Sequence, residues 1–136
     1  MPPVSKDDRP YAAVFLDEDA QEKLLEWWEV SLGIPFHAHV HAHHMTIKYD
    51  PNEDEILQID VGASANMRVI GYASDEHGQA VLVRPSVYSH NACPHVTIAV
   101  APGVSPVYSN ELLSRTRRVT LVQGPTLTGV VDIRID

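Results

Sequence analysis

The chain consists largely of apolar runs too short for helices, and this pattern constrains its fold more than any other feature. Seven such runs cover residues 9–17, 43–49, 65–75, 79–85, 94–101, 117–123 and 127–135. Runs of this length, rich in branched and aromatic residues and bounded by Gly, Pro, Asn and Asp, are typical of β-strands. The pair on either side of the turn DEHG predicts a hairpin. We therefore expect an α+β fold with mostly antiparallel strands.

One longer segment, residues 17–33, has the spacing of an amphipathic helix. Asp17 or Asp19 can cap its start, and Gly33 is suited to end it. The two tryptophans of the chain are expected to pack this helix rather than bind a ligand. Its apolar stripe consists of Leu24, Leu25, Trp27, Trp28 and Val30.

Size and charge limit the partners of this chain. Its 136 residues suit about one domain, which we expect to span residues 1–136. The formal net charge is −8, from 18 acidic residues against 10 lysines and arginines. Long nucleic acids are usually held by a basic face, whereas the basic cluster here, Arg115, Arg117 and Arg118, is expected to be solvated. The charge disfavours a long nucleic acid or a membrane as partner and allows a small anion in a local pocket.

Nothing in the sequence predicts export or membrane insertion. No apolar run approaches the 18 or so residues of a membrane span, and the segment MPPVSKDDRPY is charged where a signal peptide is apolar. Cys93 is the single cysteine, so an intrachain disulfide cannot form. These features favour the cytoplasm.

The motif His-x-Thr-Ile occurs twice, each time inside a predicted strand. His44 and Thr46 belong to the copy HHMTIKY, and His95 and Thr97 belong to the copy PHVTIAV. Random placement would give about 0.35 His-x-Thr pairs in such a chain. Because alternate residues of a strand share a face, each copy can present an imidazole and a hydroxyl to the same side.

Two such pairs can cleave a phosphodiester without a metal ion. In-line displacement requires one group to remove a proton from the attacking oxygen and another to protonate the leaving oxygen. Histidine titrates near neutrality, so two imidazoles can divide these roles. Threonine hydroxyls can donate hydrogen bonds to the non-bridging oxygens, where charge builds up in the transition state. The pattern leaves open which histidine is the base.

The duplicated motif in a small α+β chain resembles the 2H phosphoesterase superfamily. Within it, the chain is most similar to the phage anti-CBASS phosphodiesterases, through RPYAAVFLDEDAQEKLL and PVYSNELL. The resemblance implies a bilobal fold, with two small antiparallel sheets and helices around a central cleft. It implies hydrolysis of 3′–5′ linkages in cyclic di- and trinucleotide messengers in the host cytoplasm. It further implies attack by a ribose 2′-OH, with neither metal nor other cofactor.

The resemblance also assigns residues. His44 and His95 match the paired catalytic histidines, and Thr46 and Thr97 match the paired hydroxyls. Aromatic side chains stack on the bases in the anti-CBASS branch, and Tyr11 matches one of them.

Two further candidates come from the predicted short helix over residues 109–115. Ser109 or Asn110 can cap its start. Because the N-terminus of a helix favours phosphate, both residues are candidate substrate contacts.

A row of alternating histidines supports a different hypothesis. On one regular strand, four imidazoles would share a face, which suits zinc or copper. His44 is out of phase with this row, so its motif would face away from it unless a bulge or turn lies near Ala42. A metal-dependent hydrolase, or a hydrolase of the histidine-triad type, leaves the second motif at His95 unexplained, but it stays an alternative. The row consists of His37, His39, His41 and His43.

Two more alternatives keep the fold and change the activity. The substrate could be the 2′,3′-cyclic phosphate of an RNA end or a nucleotide. The chain could also be a nucleotide-binding module that lacks turnover. Both histidines and both threonines are present, which favours catalysis.

Overall fold

The computed structural model describes residues 9–115 and 118–135. Strands predominate over helices there, and every strand pairing in this part of the chain is antiparallel, so the coarse α+β prediction is confirmed. The helices are α1 (Glu18–Trp27), α2 (Glu53–Gln58) and α3 (Tyr108–Ser114). The strands are β1 (Tyr11–Leu16), β2 (His39–Val40), β3 (His44–Tyr49), β4 (Ser64–Ser74), β5 (Gly78–Pro85), β6 (His95–Val100), β7 (Thr120–Leu121) and β8 (Thr126–Arg134).

The strands form one sheet, and six of them close it into a barrel. Neighbours follow the order β6-β3-β1-β8-β4-β5, and β5 then pairs with β6. The short strands β2 and β7 pair with β6 and β4. The predicted division into two small sheets is therefore wrong. The alternation of apolar residues along a strand indicates which face is buried, but it does not reveal which strands are neighbours. The closure of the sheet into a barrel could therefore not be predicted from the sequence pattern.

The barrel encloses the main hydrophobic core. Every second residue of β1, β3 and β6 points inward, and Val14, Met45 and Val96 are completely buried. Helix α1 packs onto the same core through Leu24, and Trp28, directly after the helix, packs there too. Since inward positions are apolar, the alternate positions of β3 and β6 face outward, and these carry the His-x-Thr motifs.

Helix α1 starts and stops as predicted. Asp17 is its N-cap and accepts a hydrogen bond from the backbone in the first turn. One π-helical turn, Trp28–Leu32, extends the helix to Gly33, whose φ of 66° lies in the left-handed region that glycine tolerates. The Trp28 indole N–H donates to the Ile34 carbonyl at 3.0 Å, so this tryptophan packs the helix as expected.

Strands β1 and β8 approach closely because residue 129 has no side chain. Gly129 lies opposite Leu16, and a Cβ there would be 2.4 Å from the Phe15 carbonyl oxygen. The pairing places the last residues of β8 beside β1, on the outward face that continues to β3.

Other predictions have mixed outcomes. The helical turn over residues 52–58 forms as α2, with a capping box between Asn52 and Glu55. The strand predicted over residues 117–123 is reduced to β7, and Arg117 lies outside the described residues. No helix in the described part of the chain is long and apolar enough to cross a membrane.

Candidate active site

The two His-x-Thr motifs lie side by side in the barrel wall. Met45 of β3 pairs directly with Val96 of β6. Because the pairing is antiparallel, Thr46 and His95 follow on one side of this pair, and His44 and Thr97 follow on the other. On the second side the register shifts, since the Thr97 carbonyl accepts a hydrogen bond from the Ala42 N–H at 2.8 Å. The four predicted residues thus form a patch with approximate two-fold symmetry on the outward face.

The row of alternating histidines does not form. Val40 pairs with Ala99, and Met45 pairs with Val96, so two extra residues separate these pairs on the first strand. Ala42, at the break, has a φ of 49°. The strand is therefore irregular here, and the expectation that His44 faces away from the other histidines, which required a regular strand, does not apply. His37 lies before β2, where its Nε2 is 2.6 Å from the Asp75 carbonyl oxygen. Among residues 9–115 and 118–135, no three His, Cys, Asp or Glu side chains are grouped as metal ligands.

His95 is held in one tautomer. Its Nδ1 lies 2.7 Å from the Cys93 carbonyl oxygen, which can only accept, so Nδ1 carries the proton and Nε2 has a lone pair. Burial lowers the pKa of His95 below the ordinary 6.5, although the hydrogen bond to Cys93 opposes the shift. A neutral imidazole with a free lone pair on Nε2 is suited to accept a proton.

His44 has different surroundings. Its Nδ1 lies 3.0 Å from Nδ1 of His43, so one of the two nitrogens must donate to the other. Its ring centroid is 5.2 Å from that of Tyr11 and 5.5 Å from that of Phe15. His43 lies just before β3, outside the regular alternation of the strand. Sequence reasoning missed His43, because on a regular strand it would point away from His44.

The two threonines also differ. The Thr97 hydroxyl lies 2.8 Å from the Ser109 hydroxyl, and Ser109 is 1% exposed. On Thr46, it is the backbone carbonyl that is fixed, by the Ser89 hydroxyl at 2.9 Å. Helix α3 therefore fixes the hydroxyl of one motif, and the loop before β6 fixes the backbone of the other.

The predicted caps of α3 are wrong, because the helix begins earlier. Its N-cap is Val107, which makes no side-chain cap, and Tyr108 is its first residue. Ser109 consequently turns its hydroxyl toward Thr97. The exposed Asn110 donates its amide to the Val107 carbonyl at 3.2 Å. The structure brings Ser109 to the motifs and gives no such contact for Asn110.

A carboxylate ties α3 to the hairpin of β4 and β5. Asp75 accepts hydrogen bonds from the Tyr108 hydroxyl and, at 2.6 Å, from the Arg118 guanidinium. Burial alone would raise the pKa of Asp75, but these contacts and two backbone N–H groups lower it overall. Arg115 pairs with Glu111 at 3.1 Å. Two of the three clustered arginines are therefore partnered instead of simply solvated.

The outward face of β1 borders the patch. Tyr11, Ala13 and Phe15 are 7%, 0% and 6% exposed, and Ala13 and Phe15 pair with Thr46 and His44. Tyr11 lies beside His44, as the stacking prediction requires, but little of it is open to a base.

Strand β8 adds two charged residues that sequence reasoning missed. Asp132 lies opposite Ala13, and Arg134 lies opposite Tyr11. The Arg134 guanidinium carbon is 3.6 Å from the centroid of the Phe15 ring. Alternation in LTGVVDIRI shows that both residues share a face, but only the pairing of β8 with β1 brings them to this site.

No protein-family model matches the sequence, and no curated protein matches it significantly.

Proposed function

We propose that this chain is a metal-independent phosphodiesterase of the 2H type, acting on a small cyclic oligonucleotide. The observation that supports it best is the register of β3 against β6. Met45 pairs with Val96, so the central residues of the two motifs are neighbours and both His-x-Thr pairs lie side by side. A phosphate over the centre of this patch would have an imidazole and a hydroxyl on each side, which is what in-line displacement requires.

The surroundings of the histidines support a division of labour. His95 takes the role of general base, because its Nδ1–H is committed to the Cys93 carbonyl and burial lowers its pKa. Its Nε2 accepts the proton of a ribose 2′-OH as that oxygen attacks phosphorus. His44 takes the role of general acid and protonates the departing 5′-oxygen. The products are a 2′,3′-cyclic phosphate and a free 5′-hydroxyl, and water then opens the cyclic phosphate.

The hydroxyls supply the electrostatic part of the mechanism. Thr97 and Thr46 donate hydrogen bonds to the two non-bridging oxygens as their charge increases. Ser109 keeps the Thr97 hydroxyl oriented before substrate arrives, which avoids reorganisation during the reaction.

The substrate class follows from the charge and from the resemblance to the anti-CBASS enzymes. A net charge of −8 disfavours a long polyanion and is compatible with a cyclic di- or trinucleotide bound at a local patch. Cleavage of such a messenger would give a phage protection from a cyclic-oligonucleotide immune signal. An RNA or nucleotide 2′,3′-cyclic phosphate is the second candidate, because the same patch could hydrolyse it directly.

The test is turnover in excess EDTA. Purified protein is mixed with a panel of cyclic di- and trinucleotides and with an RNA ending in a 2′,3′-cyclic phosphate, and the products are identified by mass. We expect cleavage in EDTA, fastest for a cyclic oligonucleotide. Fastest turnover of the RNA end would instead select the second candidate. Activity that appears only with added zinc would overturn the two-histidine mechanism, and binding without turnover would identify a binding module.

A further inference from the structure

A cation is held against the His44 side of the patch. Arg134, near the end of β8, places its guanidinium carbon 3.6 Å from the Phe15 ring centroid. The centroids of Phe15 and His44 are 5.5 Å apart. The positive charge therefore lies within about 9 Å of the His44 ring, one aromatic side chain away from it.

The guanidinium is fixed from two sides. Its Nε lies 3.3 Å from Oδ2 of Asp132, and one of its faces rests on the Phe15 ring. Asp132 pairs with Ala13 in the register, and the small side chain of Ala13 leaves room for Arg134 to extend across from its own position beside Tyr11. Stacking and ion pairing reduce the side-chain entropy that binding must otherwise remove.

A fixed guanidinium is suited to a second phosphate. Its planar fork can donate two parallel hydrogen bonds to phosphate oxygens, which a lysine cannot do. The scissile phosphate belongs over the histidines and threonines, so the anion at Arg134 is a different group. A cyclic dinucleotide carries such a group one nucleotide away, whereas a nucleoside 2′,3′-cyclic phosphate has a single phosphate.

We propose that Arg134 binds the non-scissile phosphate of the substrate, and thereby selects cyclic oligonucleotides over nucleoside 2′,3′-cyclic phosphates. This inference rests on the proposed function, since it takes the His-x-Thr patch as the place where the scissile phosphate reacts. Asp132 is a positioning residue for Arg134. The chain thus provides a local anion site despite its net negative charge.

The experiment compares two substrates in three variants. Arg134→Gln removes the charge, Arg134→Lys keeps the charge without the fork, and Arg68→Gln is the matched control. Arg68 is exposed on β4, where it faces Arg84 and Thr126. The substrates are cyclic diadenylate and adenosine 2′,3′-cyclic monophosphate, assayed in EDTA.

We expect Arg134→Gln to lower kcat/KM for cyclic diadenylate by about 10- to 100-fold, mainly through KM, because hydrogen bonds to charged groups contribute that much. The mononucleotide should lose less than about twofold, since it has no second phosphate. Arg134→Lys should recover part of the loss, and Arg68→Gln should match the wild type. Equal losses on both substrates, or no loss on either, would overturn the proposal.

Binding separates this proposal from the proposed function. The dissociation constant of cyclic diadenylate is measured for His95→Asn and for His95→Asn combined with Arg134→Gln, so that turnover plays no part. A wild type that cleaves nothing contradicts the proposed function. A dissociation constant that is the same with and without Arg134 contradicts the role of Arg134 alone.

Discussion

The two His-x-Thr motifs are nearly identical in sequence, and the structure gives them different environments. His95 is half-buried and hydrogen-bonded to a backbone carbonyl, whereas His44 lies among aromatic rings and contacts a second imidazole. The Thr97 hydroxyl is fixed by Ser109, whereas at Thr46 a serine, Ser89, fixes the backbone carbonyl instead of the hydroxyl. The difference indicates that two copies with nearly the same sequence need not have the same function. The environment assigns each copy its role.

Replacing the histidines should have the largest effect and tests whether the two copies act together. We expect His44→Ala or His95→Ala to lower turnover by at least about 10²-fold with substrate binding retained, because general acid–base catalysis contributes about 10²–10⁴. Rates are measured under single-turnover conditions, and melting temperatures show that the variants fold.

The double variant sharpens this test. Because a base and an acid act in one transition state, removing both should cost about as much as removing one. A double variant with nearly wild-type activity would refute the two-histidine mechanism. Losses that multiply would indicate two independent contributions instead.

The threonines should show the asymmetry most directly, with a smaller effect. Thr97→Val removes a hydroxyl that is already oriented, and we expect a loss of about 10²-fold in kcat, comparable with the loss of one oxyanion donor. Thr46→Val should cost less, and Ser109→Ala should reproduce part of the Thr97 loss. All three are compared in kcat under saturating substrate. Equal losses in the two threonine variants, with no effect of Ser109→Ala, would show that the hydroxyls are equivalent.

Sequence patterns could predict the motifs and not their surroundings. The duplication is local, so His44, Thr46, His95 and Thr97 are recognisable without any knowledge of strand pairing. That they meet depends on Met45 pairing with Val96, which is a long-range property of the closed sheet. A pattern of alternation is the same whichever strands become neighbours.

The remaining site residues were hidden for similar physical reasons. His43 lies just before β3, outside its regular alternation, so its contact with His44 does not follow from the strand pattern. Ser109 or Asn110 was expected to cap α3, but the N-cap is Val107, and the Ser109 hydroxyl turns to Thr97. Arg134 required the neighbour relation between β8 and β1.

The smallest expected effect concerns stability and tests the environment of His95. Burial, opposed by the hydrogen bond to Cys93, leaves the pKa of His95 below its unfolded value of 6.5. Protonation is therefore harder in the folded state than in the unfolded state. The contribution of His95 to the free energy of unfolding is present above about pH 6.5 and is lost as the pH falls toward the lower folded pKa.

Urea unfolding at about pH 7.5 and about pH 5.5 measures this loss, because carboxylates with lowered pKa values lose their contributions only at more acidic pH. His95→Asn should remove part of the wild-type decrease in the unfolding midpoint. Burial, together with His39 and His43, also lowers the pKa of His41, so His41→Asn is compared in the same pH window and should remove its own share of the decrease. If His95→Asn keeps the full decrease and His41→Asn removes it, the acid-sensitive imidazole lies in the loop before β3. The functional difference between the two motifs would then depend on the threonine hydroxyls and not on the histidines.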